Sequence, residues 1–152
     1  DDLIKFRNFI DSKLSLSNSP KTQIVLIKRG YQQLLKNSKI PSYTGVKRRD
    51  ISEINKLESL LNRKGYNVKS VVLENLDWPS QVGVFKSADT IIGAHGAGLC
   101  NVTFCDPGTN VIEVKFSTCR TFQRMSKLIG LNHYWVDNSI EKIMNLVERI
   151  AK

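Results

Sequence analysis

The chain has 152 residues, 41% hydrophobic and 24% charged, with a net charge of +9. That length suits one domain, able to bury roughly 70% of the surface its unfolded chain exposes. The aliphatic content excludes disorder, no apolar run reaches the ~18 residues of a membrane span, and three Cys are too few and too odd in number for a disulfide scaffold.

Leu3, Phe6, Phe9, Ile10 and Leu14 recur at helical spacing and predict an amphipathic helix over residues 2–14. TQIVLIK, Thr22 to Lys28, is a short β-branched run of the kind that makes a buried strand. Residues 30–46 lack a clean period and contain Gly30, Pro41 and Gly45, so a long loop is expected. Asp50 or Ser52 is placed to cap a helix through Ile54, Leu57, Leu60 and Leu61, ending at Gly65. Tyr66 to Leu73 reads as the second strand. Asp77 suits a helix cap and Pro79 the first turn that follows it. Thr90 to Ile92 and its neighbours form a third, very apolar strand.

A glycine-rich turn comes next, Gly93 to Gly98, then a short apolar helix from Ala97 to Phe104. Asp106-Pro107-Gly108 is a turn, and NVIEVKF, Asn110 to Phe116, a fourth strand. Thr118 is placed to cap a helix through Phe122, Met125 and Leu128 that stops at Gly130. Asn132 to Val136 is the fifth strand, and Ser139 caps a last helix through Ile143, Leu146, Val147 and Ile150. Five alternations predict a Rossmann-like α/β fold: a three-layer α/β/α sandwich on a mostly parallel five-stranded sheet. Ligands of such folds bind at the carboxyl ends of the strands, where the strand order reverses.

The residues with the most chemistry are Ile91-Ile92-Gly93-Ala94-His95-Gly96-Ala97-Gly98-Leu99. A buried strand runs into glycines that admit a close backbone approach, then into a helix start whose N–H groups suit a phosphate. His95 at this corner is fit to donate to an oxygen or to act as acid or base. The spacing is neither the dinucleotide fingerprint nor a P-loop, and the residues alone also allow a tight turn with a hydrogen-bonded surface His. Lys28 and Arg29 end the first strand, as a phosphate clamp or as a solvent-facing pair. Glu113 is either a buried carboxylate that accepts from sugar or ribose hydroxyls, or an outward-facing side chain. Cys100 and Cys105 read as packing residues. With no Cys-x-x-Cys, no ligand cluster around His95 and His133 and no Asp-x-Asp pair, no metal or cofactor is expected.

SADTIIGAHGAGLCNVTFCDPGTNVIEV, Ser87 to Val114, resembles the signature block of the glycosyltransferase family 61 type. Ile27-Lys28-Arg29 resembles that family's strand-ending arginine. Arg48-Arg49-Asp50-Ile51 resembles its second arginine stretch, with Ser52-Glu53 where the family has Asn-Glu. The likeness extends over about residues 22–137. It implies the donor-binding, C-terminal lobe of a two-lobed (GT-B type) glycosyltransferase, and inverting, metal-independent transfer from a nucleotide sugar, often UDP-linked, to a glycan or protein hydroxyl. By the same resemblance, His95, Gly96, Ala97 and Gly98 fall at the donor diphosphate, flanked by Gly93, Leu99 and Asn101. Arg29 and Arg49 lie nearby, Glu113 sits near the nucleoside or sugar, and His95 is the catalytic candidate. The general base usually comes from the other lobe.

The chain starts at Asp1 and not Met, with no leader, so an excised fragment or a processed product is expected, and the resemblance implies that an N-terminal lobe is missing. Residues 1–64 hold 14 Lys/Arg against 6 Asp/Glu, and residues 65–152 hold 9 against 8. That asymmetry supports an alternative, a non-catalytic basic module that binds nucleic acid or an acidic polymer through Arg48 and Arg49. The transferase reading expects no nucleic acid. Compartment stays open, since eukaryotic members of the family enter the secretory pathway and bacterial or viral relatives need not.

Overall fold

The computed structural model describes residues 2–14, 22–30, 50–116 and 118–150. In chain order these form α1 (Asp2–Lys13), β1 (Thr22–Lys28), α2 (Ile54–Arg63), β2 (Val68–Val72), a 3-10 turn (Leu73–Asn75) and α3 (Trp78–Lys86). Then follow β3 (Ala88–Ala94), a 3-10 helix (Ala97–Phe104), β4 (Asn110–Val114), α4 (Thr121–Leu128), β5 (Asn132–Val136) and α5 (Ile140–Ile150). The long loop and the Lys47-Arg48-Arg49 run, Arg49 included, lie outside the described residues.

The strands pair in the order β2-β1-β3-β4-β5, every pair parallel, as expected of a Rossmann-like fold. Alternation sends Val25, Ile91 and Val111 to one face and Ile24, Leu26, Ile92 and Ile112 to the other. The first face packs on α1, α3, the 3-10 helix and α4, and the second on α2 and α5. Both faces are covered, so β1, β3 and β4 read as apolar runs rather than alternating ones.

Several local expectations are corrected. Neither Asp50 nor Ser52 caps α2. Its N-cap is Glu53, in the left-handed region at φ 54° with no side-chain cap. The preceding residues are tied elsewhere: Asn138 accepts from the Ser52 N–H at 2.9 Å and donates to the Asp50 carbonyl at 3.0 Å. Nor does Thr118 cap α4, which begins at Thr121 behind Arg120, whose guanidinium lies 5.6 Å from the centre of the Trp135 ring. On α1, Ile10 is buried, but Phe6 and Phe9 are exposed. Of the two cysteines expected to pack, Cys105 is buried and Cys100 is exposed. Asp77 does cap α3, accepting from the Ser80 N–H at 2.9 Å.

Gly65 ends the α2 unit at φ +87°, with nothing within 4 Å of where a Cβ would stand. Its requirement is conformational and not steric. Gly65→Ala is expected to lower stability by about 1 kcal/mol, read by urea unfolding, and Gly65→Asn by less.

Candidate functional site

From β1 the chain moves outward to β2, then crosses back to β3 on the other side of β1. The crossovers therefore diverge at the carboxyl ends of β1 and β3 and leave a crevice there. It is a cavity of about 370 Å³, with Ile27 and Arg29 on one wall and Ala97, Gly98, Leu99 and Asn101 on another. Leu73, Glu74 and Gln81 close it from the β2–α3 side.

The glycine segment is shaped by close packing. Gly93 is still within β3, not in the turn. A Cβ there would stand 3.1 Å from Leu99 Cδ2 and 3.2 Å from Ile27 Cδ1. The His95 N–H extends the ladder to the Val114 carbonyl at 2.9 Å. Gly96 is extended (φ 164°, ψ 178°), and its carbonyl accepts from the Leu99 N–H at 2.9 Å, which opens the 3-10 helix. The helix predicted here is thus a 3-10 helix. Its first donors, the N–H groups of Ala97 and Gly98, start the turn with no earlier carbonyl to meet. Arg29, half-buried, reaches over this corner. Its Nη2 lies 3.5 Å from the His95 carbonyl, and a Cβ on Gly96 would overlap that same nitrogen. An added side chain at Gly96 would therefore displace the guanidinium from its present seat.

Lys28 turns the other way, to Glu58 Oε2 at 2.5 Å and Asn55 Oδ1 at 3.0 Å on α2. Its charge is paired on α2, while no ion pair is made by Arg29 among the described residues. Asn101 donates to Gln81 Oε1 at 2.8 Å, and Gln81 donates to the carbonyls of Leu73 and Leu76. This chain of amides ties α3, the 3-10 helix and the end of β2 into one rigid wall.

Behind the glycine corner lies a buried polar row. Glu113 is 1% exposed. One of its oxygens meets His95 Nδ1, and the other meets His133 Nε2 at 2.8 Å and accepts from Trp135 Nε1 at 2.9 Å. Burial pushes its carboxyl up, but the donors on His133, His95 and Trp135 outweigh that and hold it below the usual carboxylate range. His133 Nδ1 lies 3.0 Å from the buried Ser126 hydroxyl, and the His95 ring stands edge-on to Phe122 at 5.1 Å. Glu113 is thus neither outward-facing nor on the cleft wall. Protein donors occupy both its oxygens, which sets it behind His95.

The structure brings Arg29, Gly93, His95, Gly96, Ala97, Gly98, Leu99 and Asn101 to one corner. Sequence reading missed Glu74, Gln81, His133, Trp135 and Ser126. For the β5 pair the partial signal was alternation, which puts positions 133 and 135 on one face; the sheet's register sets Trp135 opposite Glu113. Among the described residues no group of three or more His, Cys, Asp or Glu side chains is arranged to hold a metal ion.

The sequence profile of the family described as Glycosyltransferase 61 matches residues 1–112. A stretch of 77 residues is 35% identical to a beta-1,2-xylosyltransferase of Arabidopsis thaliana, covering 49% of this chain and 14% of that protein. Arg29 and the glycine corner fall inside the profile match, while Glu113 and its β5 partners lie just beyond it.

Proposed function

The chain belongs to the glycosyltransferase 61 family, and on that premise we propose that its cleft binds the nucleotide diphosphate of a sugar donor. The whole protein would then be an inverting, metal-independent transferase, with a UDP-linked sugar as donor and a glycan or protein hydroxyl as acceptor. This chain would be one lobe of a two-lobed enzyme. The observation that carries the reading is Arg29 lying against Gly96 at the strand-order reversal, over a cavity within the 300–1,000 Å³ range of small-molecule pockets.

Negative charge grows on the diphosphate oxygen as the sugar departs. Arg29 would oppose it with two N–H groups and a full charge, and Ala97 and Gly98 with main-chain N–H groups. Those donors do not have to reorient during the reaction, and they supply the stabilisation that a bound cation gives elsewhere. His95, at the same corner, would add a hydrogen bond to the leaving group. The acceptor hydroxyl attacks the anomeric carbon from the face opposite the diphosphate, which inverts that centre. A base must take its proton, and the lobe facing this cleft would supply it.

UDP titrated into the chain is expected to shift the amide signals of Gly96 to Leu99 and the side-chain amides of Gln81 and Asn101. EDTA is expected to leave those shifts unchanged. Shifts confined to the basic stretch at residues 47–49, steeply weakened by salt, would instead mark a polyanion surface and overturn the donor site.

A further inference from the structure

Two imidazoles share the Glu113 carboxylate, and hydrogen-bond arithmetic gives them different tasks. An ionised carboxylate only accepts, and an indole N–H only donates. Each imidazole nitrogen facing Glu113 therefore carries a hydrogen: Nδ1 in His95 and Nε2 in His133. His133 then has its other nitrogen on the Ser126 hydroxyl at 3.0 Å and is satisfied on both sides. His95 has Nε2 left over, on a residue whose carbonyl meets Arg29 and whose ring stands against Phe122. Gly93, level with Glu113 in the sheet, puts no side chain between them.

We propose that Glu113 is a positioning residue that holds His95 in the tautomer with hydrogen on Nδ1, so that the lone pair of the neutral ring sits on Nε2. His133 and Trp135 on β5 brace the carboxylate, and Ser126 on α4 holds the His133 ring in turn. A neutral His95 then accepts at Nε2, and it donates to a phosphate oxygen only after taking up a proton there. The consequence for the ligand rests on the donor-site reading; the tautomer does not. Among the described residues, the charged and titratable groups tied to His95 and its carboxylate are Glu113 on β4, His133 on β5, Arg29 at the end of β1 and Cys119 just ahead of α4.

The test is nitrogen-detected NMR of the chain labelled with ¹⁵N in its imidazoles, at about pH 8.5, where unperturbed His is neutral. The expected spectrum has His95 protonated at Nδ1 and bare at Nε2, and His133 the reverse. A proton on His95 Nε2 in place of Nδ1 overturns the proposal. In Glu113→Gln, whose amide both donates and accepts, His95 is expected to lose its single tautomer while the amide dispersion of β3 and β4 persists. An unchanged His95 tautomer in that variant also overturns the proposal. Should Glu113→Gln not fold, the wild-type spectrum decides. UDP added to the wild type is expected to shift the His95 Nε2 signal. Failure of UDP to bind overturns the donor-site reading and leaves the tautomer assignment standing.

Discussion

Replacing Glu113 by Leu is expected to lower the stability of the fold by about 3–5 kcal/mol, the cost of leaving buried donors without the acceptor they share, at about 1–3 kcal/mol each. The side chain is 1% exposed and supplies the acceptor for His95, His133 and Trp135 at once. Leucine fills similar space but leaves the Trp135 N–H, which has no other tautomer, facing apolar surface. For a domain of this length the loss is about 10 °C in melting temperature, read by calorimetry. It is a large fraction of the 5–15 kcal/mol that holds a typical domain together. The pH dependence has a definite sign. Hydrogen bonds hold the folded carboxyl below the usual range, so the unfolded chain binds the proton more readily. Glu113 therefore contributes its stabilisation above about pH 4.3, the ordinary value for Glu, and loses it as pH falls through the lower folded value. Urea midpoints of the wild type should fall on acidification through that window, and those of Glu113→Leu should fall less. Equal slopes would mean that the carboxylate is not ionised in the fold.

Much of this architecture was legible because burial on both faces leaves a plain mark. The middles of β1 and β4, Ile24 to Ile27 and Val111-Ile112, are apolar without alternation, the mark of a strand covered on both faces, and the starts at Thr22 and Asn110 match the expectation, although β4 ends at Val114 and not at Phe116. Gly65, Gly108 and Gly130 fall at positive φ where turns were expected. What could not be read was side-chain traffic between distant segments. Asp50 and Ser52 look like caps locally, but Asn138, far along the chain, engages their backbone. The apolar residues of α1 have helical spacing, but spacing does not say that Ile10 faces the core, that Phe6 is half exposed against Phe104 or that Phe9 faces outward. At the site, Arg29 and residues 95–101 stood out because strand ends carry glycine, histidine and arginine. Gln81 and Glu74 sit in an ordinary helix and turn, and only the packing of α3 and β2 beside β1 brings them in. Glu113 was ambiguous because alternation gives a side chain its face but not the register of the neighbouring strand, and register is what places Trp135 and His133 beside it.

Arg29→Ala is expected to weaken UDP binding about 10- to 100-fold, from the 1.5–3 kcal/mol of a charge-assisted hydrogen bond. Arg29→Lys should recover only part of this, since an ammonium lacks the planar pair of donors. Gly96→Ala gives a sharper test. The backbone at Gly96 is extended, a conformation any residue adopts, so alanine there costs the fold little. Its Cβ would overlap the Arg29 Nη2, and the guanidinium at the end of a flexible side chain is what moves. Gly96→Ala should therefore reproduce most of the Arg29→Ala loss with the melting temperature nearly unchanged. In the double variant the alanine at position 96 has no guanidinium left to displace, so the combined loss should be no greater than that of Arg29→Ala alone. Isothermal titration of the four proteins with UDP gives the coupling directly. Losses that simply add would show that Gly96 and Arg29 act independently, and the case for a glycine kept small to seat an arginine over the donor phosphates would fall.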